Sequence, residues 1–220
     1  FKNLPKQISC AGRDIGEYDK KIPSNLTAEE ILIRSGNIGS IRIAQKVGLD
    51  NFKNFLNDLG LLNTLDFDIE EIGTPLQFKW GKCKLATSAY GHGITTTPLQ
   101  LAKGYSIISN GGYDIKPTLI INENKRNIQY QKIISEDVSK KVNLALRKIV
   151  STEEGTAKLA NVPSYEIGGK TGTADKVLDG IYSEGKVNTF ASIFPTSNPK
   201  FVFVVMLDGP QKSKDYYYKY

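Results

Sequence analysis

The stretch Gly168-Gly169-Lys170-Thr171-Gly172-Thr173 sets one cation and two hydroxyls among three glycines. That composition suits an anion: the ammonium supplies charge, the hydroxyls donate hydrogen bonds, and residues without a Cβ let backbone N–H groups come close. A phosphate-binding P-loop is one use of such a run. It needs a glycine five places before the Gly-Lys, where Ser164 stands, and it must open a helix, whereas Thr173 to Gly180 ends in polar turn residues. The P-loop reading fails on both counts. Far upstream lies Ser35-Gly36-Asn37. Alone, such a tripeptide is an ordinary turn; it gains meaning only from its order and distance relative to a complete Lys-Thr-Gly-Thr. The single histidine, His92, sits in Tyr90-Gly91-His92-Gly93 and reads as a groove-lining or merely exposed loop residue rather than a base.

These residues need elements to hold them. Residues 1 to about 20 read as irregular or short-stranded. Thr27-Ala28-Glu29-Glu30 has the form of a capping box leading into Ile31, Leu32 and Ile33, so a short helix starts there. It stops near Ser35-Gly36-Asn37, and Ile41, Ala44 and Gly48, with Val47 beside them, mark a second helix. The tripeptide is thus expected between two helices. Thr97-Pro98 reads as N-cap and first helical residue, with Leu101, Tyr105 and Ile108 on one face and Gly111-Gly112 as the stop. Ser135-Glu136-Asp137 opens a further helix expected to pack by Val138, Val142, Ala145, Leu146 and Ile149. Tyr165 to Lys170, Val187 to Phe194 and Phe201 to Leu207 are rich in β-branched and aromatic residues and predict antiparallel strands. Helices followed by a closing sheet give an α+β class, an antiparallel sheet packed with helices.

Composition bounds the rest. The 220 residues, 40% hydrophobic and 24% charged, describe one soluble globular unit spanning 1–220. The net charge of +6 reads as a solvated surface with a mild basic excess. No Lys/Arg run with interleaved aromatics suits a nucleic-acid groove, which excludes nucleic acid as a partner. Cys10 and Cys83 lie far apart with no second ligand near either, so neither a zinc site nor a redox pair is signalled. They read as two separate buried thiols, the alternative being one disulfide. The longest apolar run, Phe201 to Leu207, is far short of the ~20 residues that span a bilayer. A chain opening at Phe1 without Met reads as an excerpt, with any anchor expected upstream.

The pair of motifs, Ser35-Gly36-Asn37 as S-x-N and Lys170-Thr171-Gly172 as K-T-G, resembles the serine acyltransferases that include penicillin-binding proteins and class A β-lactamases. Between them, Tyr90-Gly91-His92-Gly93 and Thr97-Pro98-Leu99-Gln100-Leu101-Ala102 resemble the G-x-G and T-P-L-Q-L-A box of the class B, monofunctional penicillin-binding transpeptidases. The turn at Gly155-Thr156-Ala157, Ala174-Asp175-Lys176 and the hairpin from Pro195 to Val205 are similar to the same family, and Trp80 to Ala102 is closer to its septal, cell-division branch. The likeness covers nearly all of residues 1 to 210. Tyr216-Tyr217-Tyr218 departs from it, standing where the family continues into a final strand and helix.

The resemblance implies the penicillin-binding protein and serine β-lactamase-like fold, and an acyl-serine enzyme that cross-links peptidoglycan by D,D-transpeptidation of D-Ala-D-Ala stem peptides and is inhibited by β-lactams. It implies no metal or cofactor. Ser35, Asn37 and Lys170 would be catalytic. Thr171, Gly172 and Thr173, with Tyr90, Gly91, His92 and Gly93, would bind substrate. The partners it implies are stem peptides, β-lactams and membrane-bound cell-division proteins, at the inner membrane with this domain on the periplasmic side. One motif departs: the family's S-x-x-K nucleophile lies upstream of S-x-N, and none precedes Ser35. Ser183-Glu184-Gly185-Lys186 and Ser197-Asn198-Pro199-Lys200 match by chance and are expected in turns, where Lys cannot come round to face Ser. This stretch alone is therefore expected to be inactive. A β-lactamase and a non-catalytic penicillin-recognising sensor or scaffold are the alternatives.

Overall fold

Thr27 closes a capping box with both halves in place: its Oγ1 accepts from Glu30 N at 3.1 Å, and Glu30 Oε2 accepts from Thr27 N at 2.7 Å. This starts α1 (Ala28–Ile33). A second box joins Thr97 and Gln100 at the head of α5 (Pro98–Ser109), with Pro98 in the first turn, where its missing N–H costs nothing. Between them lie α2 (Asn37–Val47), α3 (Leu49–Asp58) and the short α4 (Lys84–Ser88). Ser135 caps α6 (Glu136–Ser151) by accepting from Val138 N at 3.2 Å. The computed structural model of the chain describes residues 1–70, 72–121, 129–178 and 181–210. Tyr216-Tyr217-Tyr218 falls outside them.

Two antiparallel sheets complete the α+β architecture. β1 (Gln7–Cys10) and β2 (Arg13–Gly16) form a hairpin, and β3 (Gly168–Leu178), β4 (Ile181–Phe194) and β5 (Phe201–Asp208) form a meander in that order. In the meander Lys170 stands opposite Ala191, and Ala191 opposite Val204. The described residues form two apolar cores. One gathers Ile15, Ile22, Ile31, Ile38, Ile41 and Ala86 between the hairpin, α2 and α4. The other gathers Ile33, Leu146, Ile149, Val150, Ala157 and Ile193 between α6 and the meander. Helix α1 gives Ile31 to the first and Ile33 to the second, so its C-terminal end lies on the seam between the halves. Ser35 follows directly.

The structure corrects several expectations. α6 buries Ala145, Leu146 and Ile149 as expected, but Val138 is exposed and the buried face continues through Ser139 and Asn143. These two are buried because they satisfy carbonyls at the end of α5: Ser139 Oγ donates to Ile108 O at 2.5 Å and Asn143 Nδ2 to Ser109 O at 3.2 Å. The first predicted strand is displaced: pairing starts at Gly168, not Tyr165, and runs on through Lys170, Thr171 and Gly172 as a long ribbon with β4. Ser183 to Lys186 therefore lies in β4 rather than in a turn, although still not on a helix. Polar residues hide this ribbon from an apolar pattern; backbone pairing and the Lys186–Asp175 ion pair carry it instead. Cys10 and Cys83 are half-buried and joined in a disulfide, with their Cα atoms 5.8 Å apart, so the reading as separate buried thiols is overturned. Among the described residues no helix is long and apolar enough to cross a membrane.

Candidate active site

Ser35 ends α1 in a conformation that few L-residues adopt. Arg34 is the C-cap, Ser35 has φ 58°, Ser35 N donates to Leu32 O at 3.2 Å, and Gly36 N donates to Ile31 O at 2.9 Å. This is the Schellman pattern, and the left-handed position in it normally belongs to glycine. A serine there carries a backbone cost, and its side chain is exposed on the seam. Asn37 is the first residue of α2. Its backbone N donates to Glu17 Oε2 at 2.7 Å and its Nδ2 donates to Gly16 O at 2.9 Å, so the end of the β1–β2 hairpin holds it at two points.

From the other half, β3 delivers Lys170. Its Nζ donates to Ser35 Oγ at 2.8 Å and to Thr171 O at 2.8 Å. Burial pulls its ammonium down to about 8 from an ordinary 10.5, because the low-dielectric seam disfavours the charged form. Among the described residues no carboxylate pairs with it to offset that cost. Thr171 donates from Oγ1 to Thr156 Oγ1 at 3.0 Å, which ties the strand to the Gly155-Thr156-Ala157 turn after α6. Thr173 is exposed on the same strand, opposite Asn188. β3 is an edge of the described meander, so its outer side can take an extended peptide by strand addition.

The glycines divide by role. A Cβ on Gly168 would lie 2.5 Å from Thr196 Cγ2 and 2.9 Å from Arg147 N, and one on Gly169 would lie 2.7 Å from Ala191 O. These two serve the packing of β3 on α6 and β4, not the approach of a ligand. Gly172 has nothing within 4 Å of its would-be Cβ, so it alone keeps the open face clear.

Tyr90, Gly91, His92 and Gly93 follow α4. Gly91 and Gly93 have φ of 86° and 75°, and the Tyr90 and His92 rings stack with centroids 6.0 Å apart. Tyr90 packs on the first core, and Lys84, set 3.7 Å over the Phe78 ring, donates to Gly93 O. The loop is therefore built onto the half that carries Ser35 and Asn37. Direct hydrogen bonds unite Ser35 with Lys170, while Asn37 is linked to Ser35 by the tight α1–α2 turn. Glu17, Gly16 and Thr156 escaped sequence reasoning, since each acts on a motif residue from a distant segment. The only available signal was the family-like turn at Gly155-Thr156-Ala157.

Residues 3–219 match the family model described as the penicillin binding protein transpeptidase domain. The chain is 32% identical over 196 residues to stage V sporulation protein D of Bacillus subtilis, covering 83% of this chain and 30% of that protein. It is 30% identical over 210 residues to peptidoglycan D,D-transpeptidase FtsI of Escherichia coli, covering 93% and 34%. The crystal structure of penicillin binding protein 3 from Mycobacterium tuberculosis complexed with aztreonam superposes with a TM-score of 0.84 at 25% identity, over 94% of this chain and 50% of that one. The chain spans about a third of the length of the curated relatives it matches.

Proposed function

The chain belongs to the penicillin binding protein transpeptidase domain family, and from that premise we propose that the full-length protein cross-links peptidoglycan by D,D-transpeptidation through an acyl-serine intermediate. The observation that carries this reading is the hydrogen bond from Lys170 to Ser35, which joins the K-T-G and S-x-N motifs across the seam. The nucleophile is the serine of an S-x-x-K motif preceding Ser35 in the full-length protein. Its Oγ attacks the carbonyl between the two D-Ala residues of a stem peptide, and its proton passes to a basic amine. The C–N bond breaks, and the departing D-Ala takes a proton relayed through the Ser35 hydroxyl. The amine of a second stem peptide then attacks the ester, re-forms an amide and releases the serine.

Lys170, with its charge loosened by burial, supplies field to the developing oxyanion and exchanges a hydrogen bond with Ser35. Asn37 orients the substrate amide. The Thr173 hydroxyl and the open backbone at Gly172 take the terminal carboxylate, Thr171 steadies them through its bond to Thr156, on which its one hydroxyl hydrogen is spent, and Thr173 N–H gives half of the oxyanion hole. Tyr90, Gly91, His92 and Gly93 shape the groove for the rest of the peptide. β-Lactams acylate the same serine. The relative named as a D,D-transpeptidase and the neighbour holding aztreonam support the transpeptidase activity and the binding of β-lactams.

The protein acts at the inner membrane with this domain on the periplasmic side, beside membrane-bound cell-division proteins. The Cys10–Cys83 disulfide supports that compartment, since such bonds persist where thiols are oxidised. The test is fluorescent penicillin on the full-length protein and on this chain alone. Stoichiometric, slowly reversed labelling of the full-length protein, with none of this chain, is expected. Rapid hydrolysis of the label by the full-length protein would replace the reading with a β-lactamase, and labelling at a serine within this chain would overturn the assignment of the nucleophile.

A further inference from the structure

Glu17 follows β2 and belongs to none of the motifs, yet both of its carboxylate oxygens are engaged at the S-x-N turn. Oε2 accepts from Asn37 N at 2.7 Å and Oε1 accepts from Ile38 N at 3.0 Å. The carbonyl just before it, Gly16 O, accepts from Asn37 Nδ2 at 2.9 Å. Helix α2 has no other provision at this end: its N-cap is Gly36, no side chain caps it, and its first turn contains no acidic residue. A capping side chain there would crowd the first core, since a Cβ on Gly36 would meet Ile22 Cδ1 at 3.0 Å. The cap therefore comes from the hairpin, and as a carboxylate it also complements the positive end of the helix.

A plain cap would need only the backbone bonds. This one is coupled to the side chain of the motif asparagine, because the same Gly16-Glu17 dipeptide fixes both the Asn37 backbone and its amide. With one Nδ2 hydrogen held by Gly16 O, the amide plane is fixed and Oδ1 is set to accept a hydrogen bond from a lysine or a substrate amide. The hairpin is itself secured, since Ile15 is buried in the first core and Cys10 is bonded to Cys83. We infer that Glu17 is a positioning residue for acylation, holding Asn37 in the register and side-chain orientation from which it meets the substrate. The inference rests on the transpeptidase reading.

The test uses the full-length protein as wild type, Glu17→Ala, Glu17→Gln and, as a control, Ser135→Ala, which removes a cap from α6 away from the site. Acylation by a fluorescent penicillin is followed well below every unfolding midpoint, together with amide hydrogen exchange at Asn37 and Ile38. Loss of hydrogen bonds to a charged group predicts acylation of Glu17→Ala slowed on the order of tenfold or more. Glu17→Gln should fall between, since an amide keeps one acceptor and sets a donor against the other N–H. Ser135→Ala should lose thermal stability and acylate at the wild-type rate. Exchange at Asn37 and Ile38 should quicken only in the Glu17 variants. Wild-type acylation by Glu17→Ala, or slowing in Ser135→Ala in proportion to its lost stability, would overturn the inference. A wild-type protein that takes no label overturns the transpeptidase reading instead, and exchange then decides whether Glu17 holds Asn37: quickened exchange in Glu17→Ala supports the hold, unchanged exchange refutes it.

Discussion

Lys170 Nζ donates to Ser35 Oγ at 2.8 Å, a bond between the edge strand of the meander and the residue that ends α1, 135 positions earlier in the chain. It crosses the seam between two separately packed cores, so the site depends on how the halves meet and not on either alone. The lysine reaches that place at the expense of solvation, and the serine at the expense of backbone strain.

The first shows in a titration. Lys170 should lose its proton near pH 8 in the folded chain rather than near its ordinary 10.5. Between those values the unfolded state holds a proton that the folded state has released, so stability should rise with pH across that window. NMR of the lysine side-chain carbons gives the midpoint, and urea unfolding at the two ends of the window gives the slope. Lys170→Met should be more stable than wild type at neutral pH and should lose that part of the pH dependence. An ordinary lysine midpoint would mean that the seam is wet.

The second concerns the backbone of Ser35, whose φ of 58° is better suited to glycine. Ser35→Gly removes a left-handed penalty of ~1–2 kcal/mol and adds back part of it as entropy of the unfolded chain. The variant should therefore unfold at the wild-type temperature or slightly above it. In the full-length protein it should acylate on the order of a hundred- to a thousand-fold more slowly, the usual loss for one positioned donor. A variant that is less stable and equally active would mark the position as a simple turn.

How legible the site was in the sequence depended on whether each feature is local. The Thr27 box was readable because cap and partner are three residues apart, and Thr97 was readable as an N-cap from the proline after it, while the return bond from Gln100 went unread. The strands of the second core were readable from β-branched and aromatic residues, but the β3–β4 ribbon carries Asp175 and Lys176 and is held by backbone bonds, so its extent was hidden. Nothing local marks Ser139 and Asn143 of α6 as buried, because their partners, carbonyls of α5, lie more than thirty residues away. Glu17 was invisible for the same reason. The disulfide was left open, since pairing of Cys10 with Cys83 depends on the hairpin lying against the start of α4.

Thr156 offers a subtler test. Its hydroxyl accepts from Thr171 at 3.0 Å and fixes the direction of the Thr171 side chain. Thr156→Val keeps the shape and removes the acceptor. In the full-length protein it should loosen β3 beside Gly172 and Thr173 and so weaken the initial binding of carboxylate-bearing β-lactams by roughly two- to tenfold, the range of one neutral hydrogen bond. The subsequent acylation step should change little, because Lys170 and Ser35 are untouched. An equal loss in both constants, or a loss confined to acylation, would show that the tie between Thr171 and Thr156 serves the chemistry rather than the carboxylate.

The disulfide makes the final prediction. Cys10 lies in the hairpin that presents Gly16 and Glu17 to Asn37, and Cys83 lies at the head of α4, just before the Tyr90–Gly93 loop. It closes a loop long enough that chain entropy alone predicts ~4 kcal/mol of stabilisation, while losses on removing native bridges run at about 2–5 kcal/mol. Reduction, or the pair Cys10→Ser and Cys83→Ser, should therefore lower the unfolding midpoint well beyond the loss of a single helix cap, about 1 kcal/mol. The hairpin is anchored on the first core by Ile15 and Ile8 and on α2 by Glu17, whereas α6 packs in the second core, so exchange at Asn37 and Ile38 should quicken before the amides of α6 respond. If reduction leaves both the midpoint and those two amides unchanged, the hairpin is held by packing alone and the bridge is incidental to the site.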